Sequence, residues 1–220
     1  MPEKKLNVLF TPIEAFGHIN ACTGLAQGLI SRGHKIYFAI PKTFEGKLSK
    51  FGIEEVYYEK LAQNVEKDPQ KSQLQWIDGM LENMKLKSVI EQLKKSKDSK
   101  NAEKIIDEMI HADGEYKKII EKIKPDVIIA DTVFVCPAIE KCGIPWILLF
   151  SPNPLMAIDR DDLPPGFSGL SIHEKDKFAD FRAQVKEING SMFERWNQFL
   201  ESEGSEMRME PGKMCQPSPY

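Results

Sequence analysis

The sequence predicts an α/β fold, a mainly parallel β-sheet with helices on both faces. Two observations carry this. Short strand-like runs recur at 6–10, 35–40, 54–58, 126–131 and 145–150, and several of them are nearly continuous apolar stretches. Such stretches suit strands buried on both faces, as in parallel sheets. Between them lie segments of helical period joined by short connections, which implies parallel pairing with right-handed crossovers.

Each element follows from its residues. The run 6–10 (LNVLF) is the first strand, closed by a polar turn that contains Gly17. Ile19, Cys22, Leu25, Ala26, Leu29 and Ile30 then recur at helical spacing, and Gly33 stands where a helix C-terminus favours a left-handed residue. Residues 35–40 (KIYFAI) read as a strand, 42–51 as a short helix stopped by Gly52, and 54–58 as a third strand. From 68 to 124 the chain is polar, Lys-rich and helical, with Trp76, Ile77, Met80, Leu81, Met84, Ile105, Ile106, Met109 and Ile110 on recurring faces. Within it, 94–100 (KKSKDSK) reads as a solvated connection between two helices. The α/β pattern returns with a strand at 126–131 that ends in Asp131, a short helix from 137 to 141, and a strand at 145–150. Residues 151–169, with four prolines and two glycines, form a long loop. From 172 onward an amphipathic helix carries Phe178, Phe181, Val185, Ile188, Met192, Trp196 and Phe199 on one stripe, and the chain turns polar from about 201. The expected organisation is one domain over 1–203, with 60–124 as a helical insertion and 204–220 as a polar tail.

Composition narrows the function classes. With 41% hydrophobic and 29% charged residues, 220 residues can bury a core. A net charge of −3 gives no general electrostatic reason to bind nucleic acid or an anionic membrane. Four scattered cysteines without a C-x-x-C pair point neither to a disulfide scaffold nor to a zinc site. The start of the chain lacks the ~7–15-residue apolar core of a signal peptide, and no run approaches the ~18 apolar residues of a membrane span. A cytoplasmic location is the expectation.

In an open parallel sheet, ligands gather outside the carboxyl ends of the strands. His18, in Gly17-His18-Ile19-Asn20, follows the first strand where a helix begins, and Asp131 ends a later buried strand. A neutral imidazole there can accept a proton, and a carboxylate on its far nitrogen orients it and stabilises the imidazolium that forms. His18 as a plain helix cap and Asp131 as a turn former remain the alternative. The first turn has no G-x-G-x-x-G and no P-loop pattern, which argues against a dinucleotide oxidoreductase and against an ATP site at that turn. No H-E-x-x-H or G-x-S-x-G motif supports metal or serine chemistry.

Several segments together carry a resemblance. The run 7–12 (NVLFTP), Gly17-His18-Ile19-Asn20, Leu25-Ala26, Leu29, Arg32-Gly33-His34, the run 124–131 (KPDVIIAD) and Gly143-Ile144-Pro145-Trp146 occur in this order. They resemble the N-terminal half of the UDP-glucosyl/glucuronosyltransferase family over roughly 6–60 and 120–155. The resemblance implies one Rossmann-like half of a GT-B architecture, the half that binds the acceptor. It implies His18 as the general base that deprotonates an acceptor hydroxyl and Asp131 as its partner. The implied reaction is inverting transfer of a hexose or glucuronic acid from a UDP-sugar to a small lipophilic acceptor, without a metal, as in detoxification. Ile13, Phe16, Gly17, Trp146 and Ser151, with the 151–167 loop, are the expected acceptor walls.

One departure lies beside the base, where Ala21 stands for the family's usual proline; proline is favoured but not required at the start of a helix. The larger departure is that nothing here resembles the family's Trp/His/Gly-rich donor motif. The expectation is an acceptor-binding half that binds no cofactor itself, lacks a membrane anchor, and needs a UDP-sugar-binding domain for activity. The alternative is a non-catalytic module that binds a small apolar ligand or pairs with a full-length homologue.

Overall fold

The elements run β1 (Asn7–Pro12), α1 (Phe16–Ser31), β2 (Lys35–Pro41), β3 (Glu54–Tyr58), α2 (Pro69–Met84), α3 (Val89–Asp98) and α4 (Asn101–Ile123). They continue with β4 (Val127–Asp131), α5 (Pro137–Glu140), β5 (Trp146–Leu149) and α6 (Phe178–Ser202). The computed structural model describes residues 4–61, 68–85, 88–98, 101–151 and 160–209. These fall into two units, one built from 4–69 and 109–151 and the other from 70–108 and 160–209.

The first unit is the α/β body. All five strands pair in parallel, in the order β3-β2-β1-β4-β5, so the first apolar run is the central strand. Phe10 pairs in register with Phe38 and Ile129, and the two phenylalanine rings stack at 4.8 Å. On this face Ile19, Cys22 and Ala26 of α1 pack with Val8, Phe10, Ile36, Phe38 and Ile40. Leu9, Ala39, Ile128 and Ala130, which point the other way along the strands, are fully buried too. Both faces are therefore covered, as the continuous apolar runs require. From residue 109 onward α4 belongs to this unit. Its Tyr116 meets Tyr58 edge-on at 5.7 Å, and its buried Asp113 accepts the Ala138 N–H at 2.7 Å, capping the first turn of α5. α1 closes as its sequence demands: Gly33 adopts φ 84° and donates its N–H to the Ile30 carbonyl at 2.8 Å.

In the second unit α3 packs against α6, and Arg195 of α6 donates to the Asp107 carboxylate. The buried stripe of α6 is Phe178, Val185, Ile188, Phe193, Trp196 and Leu200. Phe193 and Leu200 thus take positions the sequence reading gave to Met192 and Phe199. The Asn197 side chain holds the Met209 backbone through two bonds, at 2.8 and 2.7 Å, and Ser205 and Met209 are buried. Of the polar stretch 204–220, residues 210–220 lie outside the described residues.

Three local expectations differ from the structure. Residues 42–51 form two 3-10 turns, Lys42–Phe44 and Ser49–Phe51, rather than one helix. Gly46 sits at φ 75°, and the Glu55 carboxylate takes the Gly46, Leu48 and Ser49 N–H groups at 2.6, 2.5 and 2.8 Å. Those amides are lost to a helical ladder. The lysine run 94–98 continues α3 rather than leaving it, because lysine is a good helix former and its side chains need only water. α6 starts at Phe178 after a 3-10 turn over Lys175–Lys177, not at 172.

Glu55 makes the 46–49 loop sensitive to acid. Burial pushes its carboxyl up, but the Tyr57 hydroxyl and the three backbone N–H groups more than offset this and hold it below the ordinary carboxylate value. A depressed group stabilises the fold above the unfolded pKa and loses that contribution as pH falls through the folded value. Glu55→Gln should therefore cost about 1 kcal/mol at pH 7, allowing for partial solvent screening. The difference from wild type should vanish near pH 3 in urea titrations. An equal cost at both pH values would contradict the assignment.

Candidate functional site

The site is built where the strand order reverses. The chain steps outward from β1 to β2 to β3, then returns to place β4 on the other side of β1. Such a switch point opens a crevice at the carboxyl ends of the two strands, where open parallel sheets hold ligands. β1 ends at Pro12, paired with Asp131 at the end of β4, and the Ile13 N–H donates to the Asp131 carbonyl at 3.0 Å. The chain then turns and α1 begins at Phe16, which puts His18 in its first turn.

His18 and Asp131 meet. His18 Nδ1 lies 2.8 Å from Asp131 Oδ2, with the Asp131 side chain 1% exposed and that of His18 22% exposed. An ionised carboxylate only accepts, so the nitrogen facing it is the protonated one and Nε2 carries the lone pair. Among the described residues Nε2 has no hydrogen-bond partner. This leaves the Nε2 lone pair on a ring whose side chain is partly exposed, with the enclosed carboxylate against Nδ1. The arrangement can take a proton from a hydroxyl and stabilise the imidazolium that results.

Ser151 joins the same cluster. β5 pairs with β4 so that Leu149 stands beside Asp131, and the chain two residues later brings Ser151 over the carboxylate. Its Oγ lies 3.1 and 3.0 Å from Asp131 Oδ1 and Oδ2 and 2.8 Å from His18 Nδ1, and its N–H points at Oδ1 from 3.4 Å. The sequence reading put Ser151 on an acceptor wall, whereas its hydroxyl is engaged with the His–Asp pair.

Cys22 was missed. Its thiol points at Asp131 Oδ2 from 3.8 Å. Burial, then the Asp131 charge and the weak hydrogen bond to it, pushes the thiol up to about 12. The signal was present, since Cys22 lies four residues after His18 and so shares its helix face.

The remaining expected wall residues divide. Ile13 and Gly17 flank the turn between β1 and α1, half-buried and exposed respectively. Phe16 leans its ring on Phe44, with centroids 5.4 Å apart, and Lys47 Nζ sits over the Phe16 ring. Trp146 does not come to the site. It is buried at the start of β5, paired with Ile128, three residues from the Asp131 end. At ~3.3 Å per residue that is ~10 Å away along the strand. The resemblance matched its position in sequence, but a strand-initial residue of a parallel sheet lies at the edge opposite the crevice. Of the 151–167 loop, 152–159 lie outside the described residues and 160–167 belong to the second unit. Among the described residues no group of three or more His, Cys, Asp or Glu side chains could hold a metal ion, and no helix is long and apolar enough to cross a membrane.

No family model and no curated protein sequence matches the chain. Solved structures do. The glycosyltransferase of kitacinnamycin aligns over 96% of this chain and 44% of its own, with a TM-score of 0.57 and 16% identity. CalG4, the calicheamicin glycosyltransferase, aligns over 93% of this chain and 42% of its own (TM-score 0.39, 16% identity). Arabidopsis thaliana UGT89C1, complexed with UDP-L-rhamnose, aligns over 84% and 43% (TM-score 0.42, 15% identity). The chain thus spans less than half the length of each of these structures. Its parallel sheet flanked by helices is the Rossmann-like fold found in GT-B glycosyltransferases.

The buried thiol gives a direct check on the cluster. Cys22 should stay unlabelled by iodoacetamide at pH 8 in the folded protein and react once guanidinium unfolds it, as read by peptide mass mapping. Rapid labelling of the native protein would contradict its burial beside Asp131.

Proposed function

We propose that this chain is the acceptor-binding, base-bearing half of a UDP-dependent glycosyltransferase. The observation that carries this is the 2.8 Å His18–Asp131 pair at the switch point of a GT-B-like sheet. His18 Nε2 takes the proton of an acceptor hydroxyl as its oxygen attacks the anomeric carbon of the sugar. The bond from that carbon to the UDP oxygen breaks, UDP leaves with the bonding electrons, and the configuration inverts. Asp131 keeps Nδ1–H in place and balances the imidazolium until the proton is released.

The donor, a UDP-sugar carrying a hexose or glucuronic acid, is held by a second Rossmann-like domain, in a longer chain or as a separate polypeptide. The 1–203 region serves the acceptor, a small lipophilic alcohol or phenol, with Ile13, Phe16 and Gly17 beside the base. Conjugation of such compounds fits a detoxifying role in the cytoplasm.

Magnitudes decide what these 220 residues do alone. Holding the acceptor oxygen close to the anomeric carbon contributes ~7–11 kcal/mol to lowering the barrier, whereas a general base contributes ~10²–10⁴-fold. Without a donor-holding domain the larger contribution is missing. The purified 220 residues should show negligible turnover of UDP-glucose or UDP-glucuronic acid with a panel of phenols. Joined to the nucleotide-sugar-binding half of a GT-B enzyme, they should turn over, and His18→Ala should lower kcat by ~10²–10⁴-fold. Turnover that survives His18→Ala would overturn the base assignment. Calorimetric binding of a phenol with no turnover in the joined protein would favour a ligand-binding module instead.

A further inference from the structure

We infer that Ser151 is a positioning residue that locks the His18 tautomer, acting through Asp131 and Nδ1 rather than lining an acceptor wall. The inference rests on the reading of His18 as the base, and it adds a third member to the pair.

The hydrogen-bond bookkeeping admits one arrangement. Ser151 Oγ lies within hydrogen-bond distance of both Asp131 oxygens and of His18 Nδ1. A hydroxyl has one proton and two lone pairs, while an ionised carboxylate has no proton to give. Suppose Nδ1 were bare and accepted the Ser151 proton. Its lone pair would then face Asp131 Oδ2 at 2.8 Å with no hydrogen between them, a repulsive contact. The stable state has the Ser151 O–H donating to Asp131 and Nδ1–H shared between Asp131 Oδ2 and Ser151 Oγ. Both bonds made by the ring require the proton on Nδ1, so in the neutral imidazole they keep the lone pair on Nε2, while the Ser151 O–H to Asp131 bond holds the two acceptors in place for them.

Burial assigns Ser151 a second effect. The Asp131 side chain is almost completely enclosed, whereas Ser151 is exposed, so Ser151 stands on the solvent side of the carboxylate. Its O–H and its N–H, at 3.4 Å, supply donors that water would otherwise provide. Cys22 supplies only a weak thiol donor at 3.8 Å. Removing the Ser151 hydroxyl opens the carboxylate to water, whose O–H groups compete with Nδ1–H for the Asp131 lone pairs and weaken the hold that keeps the proton on Nδ1. The ring then samples the other tautomer, whose Nε2–H cannot take a proton.

The test reads His18 directly and needs no turnover, so it stands apart from the test of glycosyl transfer. Long-range ¹H–¹⁵N spectra of the 220-residue protein should show His18 as a single Nδ1–H tautomer with a slowly exchanging Nδ1 proton. In Ser151→Ala that proton should exchange at least about tenfold faster, the change expected from losing one hydrogen bond to a charged group, and the Nε2–H tautomer should appear. Ser151→Thr, which restores the hydroxyl, should restore both signals. Ser151 is exposed, so backbone amide spectra of Ser151→Ala should otherwise match wild type. Unchanged tautomer and exchange in Ser151→Ala, or loss of both in Ser151→Thr with the fold intact, would overturn the inference.

Discussion

A carboxylate that is 1% exposed at the end of a strand is the constraint on which the site depends. Burying an unpaired charge is strongly unfavourable, so Asp131 must find donors wherever the chain leaves it. It finds them in His18 and, weakly, Cys22 on one face of α1, and in Ser151 after β5, far away in the sequence. Each of these is fixed in turn by the Asp131 charge. The imidazole is turned with Nδ1 toward the carboxylate, the serine hydroxyl lies within reach of both of its oxygens, and the thiol is kept protonated. The electrostatic requirement of one buried group thereby gathers these side chains at one point of the sheet edge.

Strand register does the assembling. Pro12, Asp131 and Leu149 are neighbours across β1, β4 and β5, so the loops after all three strands leave the sheet at one edge. A slip of one residue in β4 would turn Asp131 to the other face of the sheet. That slip is opposed by the packing of Phe10 with Phe38 and of Ile129 against the α1 side, all within one core. The same parallel register explains why Trp146 is excluded. A residue that starts β5 is tied to the far edge however near Asp131 it stands in the sequence.

Much of this was legible in the residues. Continuous apolar runs name the strands, and a His after the first strand with an Asp ending the fourth names the pair, because parallel strands bring their carboxyl ends together. What was not legible depended on side-chain competition for backbone groups and on three-dimensional neighbours. The 42–51 segment carries helix-forming residues, yet Glu55, beyond it in sequence, captures its amides. Ser151 looked like a wall residue because its partner sits on an adjacent strand rather than nearby in the chain. Cys22 could have been found from its i+4 spacing to His18, had the helix face been drawn around the histidine.

The most direct test of this account is a double-mutant cycle on the His18–Asp131 contact, measured by urea unfolding at pH 7 with His18→Ala, Asp131→Ala and the pair combined. The account predicts a coupling free energy of about 1.5–3 kcal/mol, the value of a hydrogen bond to a charged, buried group, because removing His18 strands a carboxylate that the double variant no longer contains. Effects that add to within about 0.5 kcal/mol, as for independent sites, would contradict it and return His18 to the role of a simple helix-terminal residue.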